Sequence, residues 1–149
     1  MTNYKHVLVA VDVTEEAQEV LARGMLIAQK NDAALSLITV VRPLTYAYTG
    51  IEVAGLAAAA IDFESQAKAS VENTLSELCA AHDLQPANTL VTFGTPATEI
   101  KNQAAAIGAD LIVLGSHGKH GLGLLLGSTA NGVLHGADCD VFTVRISAG

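Results

Sequence analysis

The sequence predicts an α/β fold: a doubly wound parallel sheet of five strands, with helices on both faces, in a single domain over residues 1–149. Short apolar runs rich in Val, Leu and Ile alternate with longer amphipathic segments, as in a sheet buried on both faces. Strands that alternate with helices pair in parallel through right-handed crossovers. Half of the residues are hydrophobic, which suffices for one good core at this length.

The first half of the chain predicts two strands and two helices. In order, these elements are a strand over Lys5–Asp12, a helix over Thr14–Asn31, a strand over Ala34–Val41, a loop over Leu44–Leu56 and a helix over Ala57–Asp83. Thr14 is the residue type expected at an N-cap. Glu15 and Glu16 in the same turn suit the helix dipole but repel a phosphate. The start of the first helix is therefore a poor phosphate site.

The second half of the chain repeats the alternation. Its elements are a strand over Thr89–Phe93, a helix over Pro96–Ile107, a strand over Asp110–Leu114, a helix over Gly127–Gly136 and a strand over Asp140–Ile146. Pro96 fits a first helical turn, and Gly108 fits a C-cap. Gly94 borders a ligand or simply turns the chain. The last strand alternates in polarity, which indicates a partly exposed edge and predicts a homodimer through it.

Composition and charge exclude several classes of protein. The net charge is −7, and no Lys/Arg cluster provides the basic face that nucleic-acid binding needs. The apolar runs are too short to span a membrane, and the N-terminus lacks the features of a signal peptide. A cytoplasmic location is the default expectation. Cys79 and Cys139 are too far apart in sequence for a metal motif and are expected to be buried thiols.

A glycine-rich stretch over Leu111–Ala137 is the strongest functional signal. It contains no Asp or Glu, although the chain is acidic, and it ends with Gly127-Ser128-Thr129 where a helix begins. Glycines allow close backbone approach, and a helix start offers free N–H groups, so the pattern is typical of a phosphate site. A flexible connector explains the composition equally well. The strings of a Walker A loop and of a Rossmann fingerprint are absent.

The spacing Gly115-x2-Gly118-x8-Gly127-Ser128 resembles the nucleotide loop of the universal stress protein family. That loop has the usual form G-x2-G-x9-G-[ST], so the middle spacer here is one residue shorter. The sequence Tyr48-Thr49-Gly50-Ile51 is similar to the corresponding sequence in the UspA-type branch of the same family. Members of that branch need not carry the glycine loop. The resemblance extends from Tyr4 to Ile146.

The resemblance implies a sheet order of 3-2-1-4-5, a dimer through the last strand, and an adenine nucleotide, ATP, as the ligand. Asp12 is expected to contact the ribose or base, and Val40 to offer its backbone to the adenine. From its position alone, Asp12 is equally well a turn or cap residue. Mg²⁺ is expected to be carried by the phosphates. The candidate nucleotide-binding residues are Ala10, Val11, Asp12, Val40, Gly115, Ser116, His117, Gly118, Lys119, His120, Gly127, Ser128 and Thr129.

Three functions follow from these features. The leading hypothesis is an ATP-binding regulatory protein of the stress response. The second is a slow ATPase with His117 or His120 as the base, although the loop has neither a carboxylate base nor an arginine finger. The third is a nucleotide-free dimeric interaction module of the UspA type. The complete glycine loop favours the first.

Overall fold

The computed structural model describes residues 3–12, 14–42, 54–116 and 127–146, with the backbone alone for residues 54–61. Within these ranges, the strands are β1 (His6–Ala10), β2 (Ala34–Val41), β3 (Asn88–Phe93), β4 (Leu111–Gly115) and β5 (Asp140–Val144). The helices are α1 (Glu16–Asn31), α2 (Ala54–Ala81), α3 (Pro96–Ile107) and α4 (Ser128–Leu134). The strands form one parallel sheet in the order β3-β2-β1-β4-β5. The predicted fold class and strand order are confirmed.

Two helical layers cover the sheet, because successive side chains of a strand point to opposite faces. On one face, α1 and α2 pack against side chains that include Val7, Val9 and Leu37. On the other face, α3 and α4 pack against Leu8, Ile38 and their neighbours. In β1, the side chains of Val7, Leu8 and Val9 are all fully buried. This double burial explains why the strands read as continuous apolar runs rather than alternating ones.

The strand order reverses between β1 and β4. The chain passes from β1 to β2 and β3 on one side of the sheet, and it returns to add β4 and β5 on the other side. Where neighbouring crossovers diverge in this way, a crevice opens beyond the carboxyl ends of the strands. The topology therefore places the candidate site beyond Ala10 and Gly115.

Helix boundaries differ from the prediction at three places. The N-cap of α1 is Glu15 rather than Thr14, because the Thr14 N–H and hydroxyl both donate to the Asp12 carboxylate. The helix α2 begins within the predicted Leu44–Leu56 loop, since its first residues are mostly alanines, which favour helix. The tyrosines of that loop lie outside the described residues. The helix α4 has only seven residues and is shorter than the predicted Gly127–Gly136.

The last strand is covered unevenly. Val144 is buried against the α1 face and Val141 packs on the other face, but Phe142 remains 37% exposed. The alternation in this strand therefore reflects partial coverage at the edge of the sheet. The β5 strand pairs only with β4 among the described residues. None of the helices in the described ranges has the length and apolar character needed to cross a membrane.

Candidate functional site

A cleft of about 280 Å³ lies beyond the carboxyl ends of β1 and β4. It brings together residues that are far apart in sequence, from the end of β1, from β2 and from the start of α4. The predicted site residues that line it are Ala10, Val11, Asp12, Val40, Gly115, Gly127, Ser128 and Thr129. The other lining residues are not among the predicted site residues; they are Glu16, Ala17, Val20, Ile38, Pro96, Ile100, Leu114, Ala130 and Ile146.

Asp12 is exposed at the mouth of the cleft. Its Oδ1 accepts the N–H of Thr14 at 3.1 Å and also the hydroxyl of that threonine. These bonds form a tight turn between β1 and α1, as an Asp in this position commonly does. Its Oδ2 accepts no hydrogen bond from the described residues. Asp12 therefore serves as a turn residue and still has one carboxylate oxygen available to a ligand.

The cleft wall next to Asp12 depends on a threonine that the sequence analysis did not identify. Thr39 is 4% exposed, and its hydroxyl donates to the carbonyl of Val11 at 2.9 Å. The Val11 N–H donates to the carbonyl of Ile38 at 3.0 Å. The only sequence signal for this contact is a hydroxyl residue inside the apolar run of β2. These two bonds tie the chain leading to Asp12 onto β2.

The two ends of the glycine-rich loop meet beside the cleft. The Gly127 N–H donates to the carbonyl of Ser116 at 2.6 Å, and the Ser116 N–H donates to the carbonyl of Val144 at 2.8 Å. The sheet thus holds both ends of the loop. The predicted residues His117, Gly118, Lys119 and His120 lie outside the described residues. Ser116 is half-buried at the loop stem and does not line the cleft.

Gly115 has a packing reason that the motif alone did not reveal. A Cβ added at this position would lie 3.2 Å from Ile146 Cδ1 and 3.5 Å from Val20 Cγ2. Both side chains belong to the cleft lining, so a larger residue at Gly115 would press them into the cleft or apart. Gly94 is a turn residue: its φ is +149° and it does not line the cleft. Of the two expectations for Gly94, the plain turn is the one that fits.

The start of α4 offers backbone N–H groups to the cleft. Gly127 is the N-cap residue, and no side chain caps the helix. The first N–H groups of any helix have no partner within it. Ser128 is exposed and Thr129 is half-buried, and both line the cleft. Since α4 is short, these local donors matter more here than a helix macrodipole.

The cleft has three chemically distinct parts. Asp12 and Glu16 make one part acidic, whereas Gly127 and the hydroxyl residues after it supply donors at another. An apolar wall of the same cleft consists of Ile38, Val40, Pro96, Ile100 and Leu114. This arrangement fits a ligand with a flat apolar part, a sugar-like polar part and an anionic part. It therefore fits a nucleotide.

Metal and thiol chemistry gain no support from the described part of the chain. Within the ranges that the structure describes, no three His, Cys, Asp or Glu side chains are grouped as metal ligands. Cys79 and Cys139 are free thiols, buried and half-buried respectively. Burial raises the pKa of both thiols, and nearby acidic residues raise that of Cys139 further. Both thiols therefore stay protonated at neutral pH and are poor nucleophiles.

Comparisons with known proteins agree with one another. A family model described as the universal stress protein family matches residues 3–145. Universal stress protein A homolog 2 of Coxiella burnetii is 37% identical over 147 residues, which are 98% of each chain. The solved structure of hypothetical protein MJ0577 is 22% identical, with a TM-score of 0.78 over 99% of this chain and 100% of that one. A universal stress protein solved in complex with cAMP is also 22% identical, with a TM-score of 0.71 over 98% and 100%.

Proposed function

The chain belongs to the universal stress protein family, and from that premise we propose that it is a regulatory stress-response protein that binds ATP. The observation that carries the proposal is the cleft itself. It brings Asp12, Val40 and the start of α4 around one space at the switch point of the sheet. Ligands of open α/β sheets bind at that point.

Each part of the nucleotide has a matching part of the cleft. The adenine packs on the apolar wall next to the Val40 backbone, and the ribose hydroxyls donate to the free oxygen of Asp12. The phosphates lie at Gly127, Ser128 and Thr129, where N–H and hydroxyl groups donate. Glu16 also lines the cleft, and its negative charge at the start of α1 disfavours a phosphate there.

The glycine-rich loop completes the phosphate site in this proposal. Gly118 permits close approach of the backbone, and Lys119 and His120 supply cationic or donor side chains. Mg²⁺ is carried by the phosphates rather than by a carboxylate cage, in keeping with its preference for phosphate oxygens. Support for a nucleotide comes also from the family, since one member was solved in complex with cAMP.

A titration series tests the proposal. Isothermal calorimetry with ATP, ADP and adenosine should show affinity rising with phosphate number, because each phosphate adds charge-assisted hydrogen bonds. Gly118→Val should abolish ATP binding, since a side chain at this position would collide with the phosphates. Gly136→Val is the matched control, because that residue lies just beyond the C-terminal end of α4 and its neighbour is the flexible end of Lys101.

The outcomes of the titration separate the candidate functions. Tight ATP binding with turnover far below the roughly 1–100 s⁻¹ of kinases supports a regulator. Steady phosphate release that falls in His117→Ala or His120→Ala would instead identify a slow ATPase. If the wild type binds none of the three ligands, the glycine-rich stretch is only a connector. The nucleotide-free interaction module then replaces the proposal.

We also propose that the protein is a cytoplasmic homodimer that pairs through Asp140–Ile146. The supporting observation is the outer edge of β5, where Phe142 is partly exposed. An unpaired strand edge beside an apolar side chain favours association. Light scattering at micromolar concentration should give twice the chain mass of 15.3 kDa. Phe142→Glu should shift the protein toward monomer, and a wild type that is already monomeric would contradict the interface.

A further inference from the structure

We infer that Thr39 is a positioning residue of the cleft: its hydroxyl ends the β1–β2 ladder and leaves the Val40 N–H without a partner among the described residues, next to the chain that carries Asp12. The further step, in which the Val40 N–H donates to a bound nucleotide, rests on the proposed function. The part that concerns the ladder rests on the hydrogen bonds of the chain without a ligand.

The β1–β2 ladder ends one hydrogen bond before the next residue pair of its register would be complete. Its pairs run from His6 with Ala34 to Ala10 with Ile38, and the Val11 N–H still donates to the carbonyl of Ile38. The next pair would be Val11 with Thr39. In a parallel ladder that pair requires the Val40 N–H to donate to the carbonyl of Val11. The bond is not formed, and β1 ends at Ala10.

The Thr39 hydroxyl satisfies the carbonyl that the missing bond leaves open. It donates to the Val11 carbonyl at 2.9 Å, in a buried contact. A buried carbonyl without a partner is costly, so a ladder rarely ends inside a core unless a side chain replaces the lost donor. Thr39 is such a replacement, because its own side chain supplies the donor that the backbone of the next residue would otherwise provide.

The direction of the Val40 N–H follows from the alternation of the strand. The Val41 carbonyl accepts the Gly94 N–H at 3.0 Å, so the polar backbone groups of Val41 face β3. Those of Val40 therefore face β1, where the chain has left the ladder. Val40 and Val11 both line the cleft. A backbone donor that no described residue pairs with thus borders the cleft, where a ring nitrogen of a base would accept from it.

A second buried hydroxyl on the same strand provides the comparison. Ser36 is completely buried, but it lies at the opposite end of β2. Its Oγ is 2.6 Å from His6 Nε2 and accepts from Asn88 Nδ2 at 3.1 Å. These partners are side chains far from the cleft. Removing the Ser36 hydroxyl should therefore disturb the core without changing the cleft.

Three variants test the inference against this comparison. Thr39→Val keeps the shape of the side chain and removes the hydroxyl, Thr39→Ser keeps the hydroxyl, and Ser36→Ala is the core control. Thr39→Val should weaken adenosine and ATP by the same factor, about tenfold for one lost hydrogen bond. Thr39→Ser should bind both as the wild type does. Ser36→Ala should lower the melting temperature and leave both affinities unchanged.

A readout without ligand separates this inference from the proposed function. Hydrogen exchange measured by NMR should be fast at the Val40 amide and slow at the Ile38 amide of the wild type. In Thr39→Val, the Val40 amide should become protected, because the Val11 carbonyl then accepts it. Equal protection of both amides in the wild type would overturn the inference, as would unchanged affinities in Thr39→Val. If the wild type binds no nucleotide but the exchange pattern holds, only the proposed function fails.

Discussion

The two ends of the sheet treat their polar groups in opposite ways. At the amino end, where the strands begin, side chains of the protein satisfy them. The Asp110 carboxylate accepts the N–H groups of Lys5 at 2.9 Å and His6 at 3.0 Å, and the Tyr4 hydroxyl donates to Asp140 at 2.7 Å. The carboxyl end, by contrast, contains the cleft.

At the carboxyl end, several polar groups lack a partner from the described residues. The Oδ2 of Asp12 is free, and the ladder stops before the Val40 N–H is used. The Thr92 hydroxyl is buried without a hydrogen bond. Thr92 pairs in register with Val40 on the neighbouring strand, so it too belongs to this end.

The difference indicates that the amino end of the sheet mainly stabilises the fold, whereas the carboxyl end mainly binds a ligand. A polar group satisfied internally stabilises the fold, whereas one left without a partner costs stability and remains available for a ligand. Variants at the amino end should therefore change unfolding and spare affinity. At the carboxyl end, removing a group that is available to a ligand should change affinity and spare stability, whereas removing a buried group without a partner should raise stability. The following predictions test that contrast from the largest effect to the smallest.

Asp110→Ala should lower the free energy of unfolding by about 2 kcal/mol at neutral pH, because two backbone N–H groups lose a charged acceptor. Nucleotide affinity should not change. Urea denaturation measures the effect, with the exposed Asp138→Ala as a control for loss of one negative charge. A loss of affinity in Asp110→Ala would show that the amino end is not independent of the cleft.

The pH dependence of Asp110 sharpens the same prediction. Burial raises the pKa of this carboxyl, but the N–H groups of His6 and Lys5 outweigh that effect, so its pKa is lowered overall. Its contribution is then fully present above the usual Asp value near 4 and is lost as the pH falls through the lower folded value. The stability difference between wild type and Asp110→Ala should therefore shrink below about pH 4.

Asp12→Ala should weaken ATP by about 1.4 kcal/mol, or tenfold, the cost of one polar contact with a ligand. The stability of the unliganded protein should change by less than about 0.5 kcal/mol, because the bonds to Thr14 are exposed. Asp12→Asn keeps an acceptor for Thr14 and removes the charge, so it separates the turn role from the ligand role. Full affinity in Asp12→Ala with a clear loss of stability would reduce Asp12 to a turn residue.

Thr92→Val should raise the free energy of unfolding by about 1 kcal/mol, since it replaces a buried hydroxyl without a partner by a methyl group of similar size. The exposed Thr89→Val on the same strand should have a smaller effect. Chemical denaturation of both variants measures the difference. A destabilised Thr92→Val would mean that the hydroxyl has a partner, and the contrast between the two ends would weaken.

Local patterns in the sequence determined the order of elements, and the resemblance to a known family indicated the place of the cleft. The buried apolar runs identify strands through local patterns, and the alternation with helices dictates parallel pairing. The strand order that the family resemblance implies then brings the end of β1 and the glycine-rich loop before α4 to the switch point, so Asp12 and that loop could be placed together before their contacts were known. No sequence pattern predicted that Asp110 accepts backbone N–H groups at the amino end of the sheet.

Only the tertiary structure decided which contacts these residues make. Thr14 looked like an N-cap, but Asp12 engages it and Glu15 takes the cap position. Gly115 is predicted as a ligand-contacting glycine and lines the cleft, and the structure adds that a side chain there would also meet Ile146, 31 positions along the chain. In the sequence Thr39 is one more strand residue, whereas in the structure its hydroxyl donates to the Val11 carbonyl, 28 positions away. Local patterns report the periodicity of burial, whereas such contacts depend on how distant segments meet, and that information is absent from any short stretch of sequence.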